Sequence, residues 1–445
     1  MSRHCLRARS LRFLSALGRP RRAAVLFVVA VAAASAPAQI VPAGPDPGTA
    51  PAGAPFFLRD RDRVVFYGDS ITQEGGYARL VEAYVATRFP SWDVRFYNSG
   101  VGGDRVSGGW AGGIEERLER DVIAHRPSVV TIMLGMNDGG YNQYDPATFA
   151  QYAAGYRSIV RRLKAALPGV RLTLIQPSPF DDVSRPPQFK PGYDDVLRRY
   201  GCYLAVLGER EGAMVVDFRE PLNSAVAAVL ATDPDLARQL LPDRVHPSGA
   251  GHLVLGAALL RAWNASSLVS GVEIDATGPS VTIAVNAEVS GLESANGRLT
   301  WTQLDRSLPL PLDFQGATVE LAERAGAGLE GLDQQTLVVK GLSPSQYDLK
   351  IDERVVGTFS AAELGEGINL ATLDTPMRRR AFSLGRMASR RHELQRLRRV
   401  LLSVPSGGPE WMETAEGLAA FDETLKLESM RAAKPMRRQY VIIPR

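Results

Sequence analysis

Between residues 63 and 263, short β-branched runs alternate with longer stretches of helical spacing, a pattern that few folds accept. The runs cover 64–67, 94–97, 129–134, 170–175 and 214–218. Helical spacing occupies 76–88, 114–124, 147–166 and 191–210, and a last helix follows Gly249 to about Trp263. Five apolar strands separated by helices predict a parallel five-stranded sheet covered on both faces, with right-handed crossovers. In an α/β domain of this kind, placed at 56–266, ligands bind beyond the carboxyl ends of the strands.

The texture changes after about Ala265. Strand-like segments at 272–275, 281–285, 297–301, 336–340 and 347–351 are separated by turn residues. They predict an antiparallel, β-sandwich-like accessory module over 270–360. A helix-like insert near 359–365 reads equally as a turn. Residues 361–445 read as mostly helical, with helices around 378–399 and 409–433 and a short strand or docked tail at 440–443.

Composition matters chiefly at the start of the chain. Residues 1–38 hold seven arginines and no acid, and an apolar run there ends in Ala36-Pro37-Ala38. This is the pattern of a signal peptide cut near Ala38, with an uncleaved membrane anchor as the minor alternative. Residues 39–55 are rich in Pro, Gly and Ala and read as a leader. An exported protein, periplasmic or extracellular, is expected, with no stable membrane span after cleavage. The whole chain carries 52 basic and 48 acidic side chains; without those seven arginines the balance is 45 to 48, or −3. A surface that seeks nucleic acid is therefore not expected. Two cysteines are too few for a disulfide scaffold or a finger-type zinc site.

The residues suited to chemistry lie in three loops and one late pair. Gly68-Asp69-Ser70-Ile71 follows the first strand, so Ser70 stands at the active edge of the sheet or merely caps a helix. Asn98-Ser99-Gly100-Val101-Gly102-Gly103-Asp104 follows the second strand, and Gly135-Met136-Asn137-Asp138 follows the third. Acyl transfer needs donors waiting for the carbonyl oxygen, and the amides of Ser70 and Gly103 and the side chain of Asn137 are suitable types. Gly103 lacks a side chain that could block the approach of a substrate. Plain turn geometry is the bland alternative for such loops. The late pair is Asp243 and His246. A serine needs a base of near-neutral pKa, and the base needs a partner that fixes its tautomer. In an irregular loop, the three-residue spacing can bring the carboxylate to Nδ1 while Nε2 faces the serine.

These four blocks, in this order, resemble the SGNH hydrolase superfamily, the GDSL esterases and lipases. The resemblance covers 62–264; the serine block reads GDSIT where many members read GDSL. It implies a flavodoxin-like three-layer α/β/α fold, a Ser70–His246–Asp243 triad, and an oxyanion hole from Ser70, Gly103 and Asn137. Asp69, Asp104 and Asp138 would support these loops, the last two by accepting backbone N–H groups. The implied activity is hydrolysis of a carboxylic ester through an acyl-enzyme. The substrate would be a small-molecule or polysaccharide ester, short-chain or carbohydrate O-acetyl. A non-catalytic carbohydrate-binding or structural protein with a degenerate hydrolase domain is the other reading.

Other candidates have quieter expectations. Asp217 competes weakly with Asp243 as triad acid. His252 is expected to pack or cap, and His125 to serve as a helix-dipole partner. No Walker lysine, Rossmann glycine pattern, histidine cluster or carboxylate motif calls for a cofactor or a metal. The nine arginines of 378–399 read as a solvated helix face, or as a surface for anionic glycan or cell wall.

Overall fold

In the computed structural model, which describes residues 55–343, 345–403 and 408–445, the five expected strands lie side by side and all parallel. The export signal over 1–38 and the leader, its last residue apart, fall outside the described residues. The strands are Arg63–Gly68, Arg95–Gly100, Val129–Met133, Arg171–Ile175 and Met214–Val216. Counted along the chain, their order in the sheet is 2-1-3-4-5, the flavodoxin-like order. The order reverses beside the first strand, and that switch point is where such sheets bind ligands.

Register decides what meets there. Gly68, the last residue of the first strand, stands opposite Gly100 on one side and Met133 on the other. The three loops that follow therefore leave from one rim. Helices Gly76–Arg88 and Gly249–Ala262 are among those that cover the sheet and bury its Val, Ile, Leu and Tyr side chains. A short helix, Ser70–Glu74, crosses the end of the second strand. A Cβ on Gly100 would lie 2.2 Å from the amide nitrogen of Gln73, so only glycine permits that crossing. Helices Arg219–Leu230 and Pro234–Arg238 were not anticipated; both precede the His246 loop.

Beyond the α/β domain the strands form two sheets. One is antiparallel throughout and contains Ala287–Ala295, Arg298–Asp305, Arg437–Pro444, Gln346–Ile351 and Arg354–Ser360, in that order. The final strand of the chain thus sits in the middle of this sheet, where a docked tail was an equal expectation. A residue range expected to be mostly helical completes the β module. The other sheet pairs Leu268–Asp275 with Gln334–Lys340 in parallel, not antiparallel as expected. Three strands and a helix separate these two in the chain, so a crossover joins them and not a hairpin. The insert near 359–365 is a helix, Ala361–Glu366, closed by a capping box between Ser360 and Glu363.

The two regions share packing. Helix Ala317–Arg324 and its flanks, with Leu310, Leu312, Val319, Leu321, Leu329 and Leu332, join the core of the α/β domain. Arg88 is buried at this junction. It donates to the carbonyls of Leu308 and Leu332 and pairs with Asp333 at 2.6 Å. The arginine-rich helix Pro376–Leu402 runs antiparallel in sequence sense to Pro409–Ala433 and packs on helix Gly76–Arg88 and strand Arg95–Gly100. Its face is not simply solvated. Arg378, Arg391 and Arg399 are buried: Arg391 holds Glu82 and Asp422, and Arg399 donates to the carbonyl of Asn98. Among the described residues no helix is long and apolar enough to cross a membrane.

Candidate active site

Ser70 is the first residue of its helix, and Asp69 is the N-cap. The Asp69 carboxylate accepts from the Ile71 amide at 3.1 Å, so the serine is presented by the cap and does not itself cap. As a first-turn residue, Ser70 has an amide with no partner inside the helix. Asp69 is buried, and burial pushes its carboxyl up to about 7.

The late pair reaches this serine across the sheet edge. Nε2 of His246 lies 2.8 Å from Oγ of Ser70, and Nδ1 lies 2.6 Å from Oδ2 of Asp243. The loop is shaped for this. Arg244 takes a left-handed φ of 74°, and Oδ1 of Asp243 accepts the amides of Val245 and His246 at 3.0 and 2.8 Å. Partial burial opposes ionisation of Asp243, but the N–H groups of His246 and Val245 outweigh it and hold the carboxyl below its usual range. Asp217 is engaged elsewhere, capping helix Arg219–Leu230 through the amides of Arg219 and Glu220.

Gly103 and Asn137 come to the same rim on the second and third loops. Gly103 has φ 78°, which glycine tolerates, and a Cβ there would meet no protein atom within 4 Å. The protein thus needs its conformation, and the space beside it is open to a substrate. Asn137 donates one N–H to the Asp104 carbonyl at 3.1 Å, which leaves its second N–H available. The hydroxyl of Tyr141 donates to Oδ1 of Asn137 at 3.0 Å and so distinguishes the two ends of the amide. Tyr141 was not anticipated. It holds a left-handed φ of 61°, and its ring packs 5.1 Å from that of Tyr193.

The supporting acids divide. Asp138 accepts the Val106 amide at 2.9 Å, as expected. Asp104 instead takes the guanidinium of buried Arg117 at 2.8 Å, because a buried carboxylate beside a buried cation is satisfied by it first. Arg117 also holds Asp121 and the Ser99 carbonyl, tying the glycine loop to helix Ile114–Asp121. Gln73, three residues after Ser70 and so on its face of the helix, accepts the Gly102 amide at 2.6 Å. That spacing was the signal available in the sequence.

His125 and His252 do not enter the hydrogen bonds of Ser70, His246 and Asp243. His252 is buried beneath Gly76, 3.1 Å from Glu74, and packs as expected. His125 stacks on Tyr97 at 4.1 Å, and burial lowers it to about 4. It is neutral near pH 7 and therefore no charged dipole partner. Among the described residues no group of acids, histidines or cysteines is arranged to hold a metal ion.

Together, Ser70, His246 and Asp243 form one hydrogen-bonded chain, and Gly103 and Asn137 lie on neighbouring loops of the same rim. Residues 66–254 match the model of the GDSL-like lipase/acylhydrolase family. The chain is 31% identical over 230 residues to an acetylxylan esterase of Geobacillus stearothermophilus, matching 45% of this chain and 93% of the relative. It is 26% identical over 193 residues to the esterase TesA of Pseudomonas aeruginosa, or 40% of this chain and 86% of that one. Among solved structures, BT4096, a gut microbial diltiazem-metabolizing enzyme, superposes with a TM-score of 0.77 at 24% identity. It covers 87% of this chain and 98% of its own, so the likeness of fold extends past the α/β domain.

Proposed function

Since the chain belongs to the GDSL-like lipase/acylhydrolase family, we propose that it is a serine esterase working through an acyl-enzyme, with Ser70 as nucleophile, His246 as base and Asp243 as its orienting acid. The observation that carries this reading is the bridging imidazole, 2.8 Å from the serine oxygen and 2.6 Å from the carboxylate.

The geometry supports the following steps. Oγ of Ser70 attacks the ester carbonyl while Nε2 of His246 takes its proton. Asp243 keeps the Nδ1 proton facing it and stabilises the imidazolium. The carbonyl oxygen becomes an anion among the Ser70 amide, the Gly103 amide and the free N–H of Asn137. His246 then protonates the leaving alcohol, the bond to it breaks, and the acyl group stays on Ser70. Water then gives a proton to His246 as its oxygen attacks the acyl carbon, the resulting oxyanion collapses, the bond to Oγ of Ser70 breaks, and His246 returns the proton to Oγ as the acid leaves.

The proposed substrate is an O-acetyl ester of a carbohydrate. The name of the acetylxylan esterase relative supports this, as does the lack, after residue 38, of a long apolar run that could form a lipase lid. An exported protein, as residues 1–38 lead one to expect, would meet such esters outside the cytoplasm. The test is stopped-flow hydrolysis of p-nitrophenyl acetate. Wild-type enzyme should turn it over, with a burst wherever deacylation is the slower step, and Ser70→Ala should have neither burst nor turnover above about a thousandth of wild type. Full turnover by the variant contradicts the reading. A series of longer acyl chains should show kcat/KM falling from acetate upward.

A further inference from the structure

Trp110 is 68% exposed, more than any other large apolar side chain among the described residues. It stands at the tip of a tight hairpin in which Gly108–Gly109 pairs with Gly112–Gly113. The ring is not loose. Its Nε1–H donates to the Gly102 carbonyl at 2.9 Å, and the neighbouring carbonyl of buried Ala111 accepts from Arg120 at 2.9 Å.

Its position is next to the chemistry. Gly102 precedes the proposed oxyanion donor Gly103, and a Cβ on Gly102 would lie 3.8 Å from Cβ of Ser70. An indole anchored by its only polar atom has nothing left to offer but its face. Apart from buried Ala111, the residues around it on the hairpin are glycines, so the hairpin itself offers backbone N–H and C=O rather than apolar side chains. An acyl chain needs a continuous apolar trough. A sugar ring needs one flat aromatic face for its C–H bonds and polar groups at its edges for its hydroxyls. The slightly positive C–H hydrogens suit the negative face of the indole.

We infer that Trp110 is a stacking platform for a pyranose ring, a specificity subsite beside Ser70 that selects acetylated sugars over simple acetates. The inference rests on the ester reading above and deepens it. The experiment compares kcat/KM on acetylated xylotetraose with kcat/KM on ethyl acetate, for wild type, Trp110→Ala and Trp110→Phe. The ratio should fall about tenfold in Trp110→Ala and recover most of that loss in Trp110→Phe, which keeps a ring. An unchanged ratio overturns the subsite. So does a loss confined to octanoate esters, which would assign the ring to the acyl chain. A second measurement does not depend on turnover or on the alanine variant. Unacetylated xylotetraose should quench the indole emission of wild type, and the quench should disappear in Trp110→Phe; absence of any quench in wild type overturns the inference. Wild-type protein that hydrolyses neither acetate defeats the ester reading instead, and the xylotetraose titration still decides whether the ring binds sugar.

Discussion

At the scale of single residues, the proposed site divides into groups that would react and groups that aim them. The proposed reacting groups stood out in the sequence because the chemistry demands rare types: a mobile proton acceptor in a chain with five histidines, and an acid three residues from it. The aiming groups did not. Arg117 acts across loops, and Tyr141 lies only four residues after Asn137, but no local pattern marks a tyrosine that grips the oxygen end of an amide. The tyrosine makes a sharp prediction. With its hydroxyl gone, Asn137 can rotate and lose its donor from the proposed hole. Direct removal of such a donor costs about 10²–10³ in kcat. Tyr141→Phe should lose less, about tenfold in kcat with KM nearly unchanged, as expected for an interaction used in the transition state. A rise in KM at constant kcat would assign the hydroxyl to substrate binding.

At the scale of elements, the five parallel strands were readable because each is a short apolar run between helices, and their ends agree with the structure to within three residues. Their order came from the family resemblance and not from the periodicity, since pairing is set by contacts far apart in sequence. The same limit hid the place of the last strand. An eight-residue segment, Arg437–Pro444, has one pattern whether it docks on a surface or enters a sheet. It enters: Ile442 is fully buried and stands opposite Leu299 on one side and Leu349 on the other. Ile442→Ala should therefore cost about 2–5 kcal/mol in urea unfolding, the range for a core deletion. A cost below about 0.5 kcal/mol would describe a surface tail instead.

At the scale of the whole molecule, the regions are less separate than their textures suggest. Apolar periodicity marks each core but does not say which core a helix will join, and Ala317–Arg324 joins the earlier one across an intervening set of strands. The buried pair of Arg88 and Asp333 lies on that junction. Removing one partner strands the other charge away from water, so Asp333→Asn should destabilise the protein by about 3–5 kcal/mol, read as a lower midpoint in denaturant. A change under about 1 kcal/mol would mean that water reaches the arginine. The arginine-rich helix follows the same logic: several of its charges are spent on Glu82, Asp422 and backbone carbonyls rather than turned outward.

All three scales serve one arrangement, in which strand register brings Ser70 and the glycine and asparagine loops to a single rim, and a distant histidine closes over them. The most direct test is to expose the protein to a fluorophosphonate and locate the adduct by mass spectrometry. The account predicts a single stoichiometric adduct on Ser70, slowed by orders of magnitude in His246→Ala. A protein that stays unlabelled while hydrolysing esters, or an adduct on another residue, would contradict it.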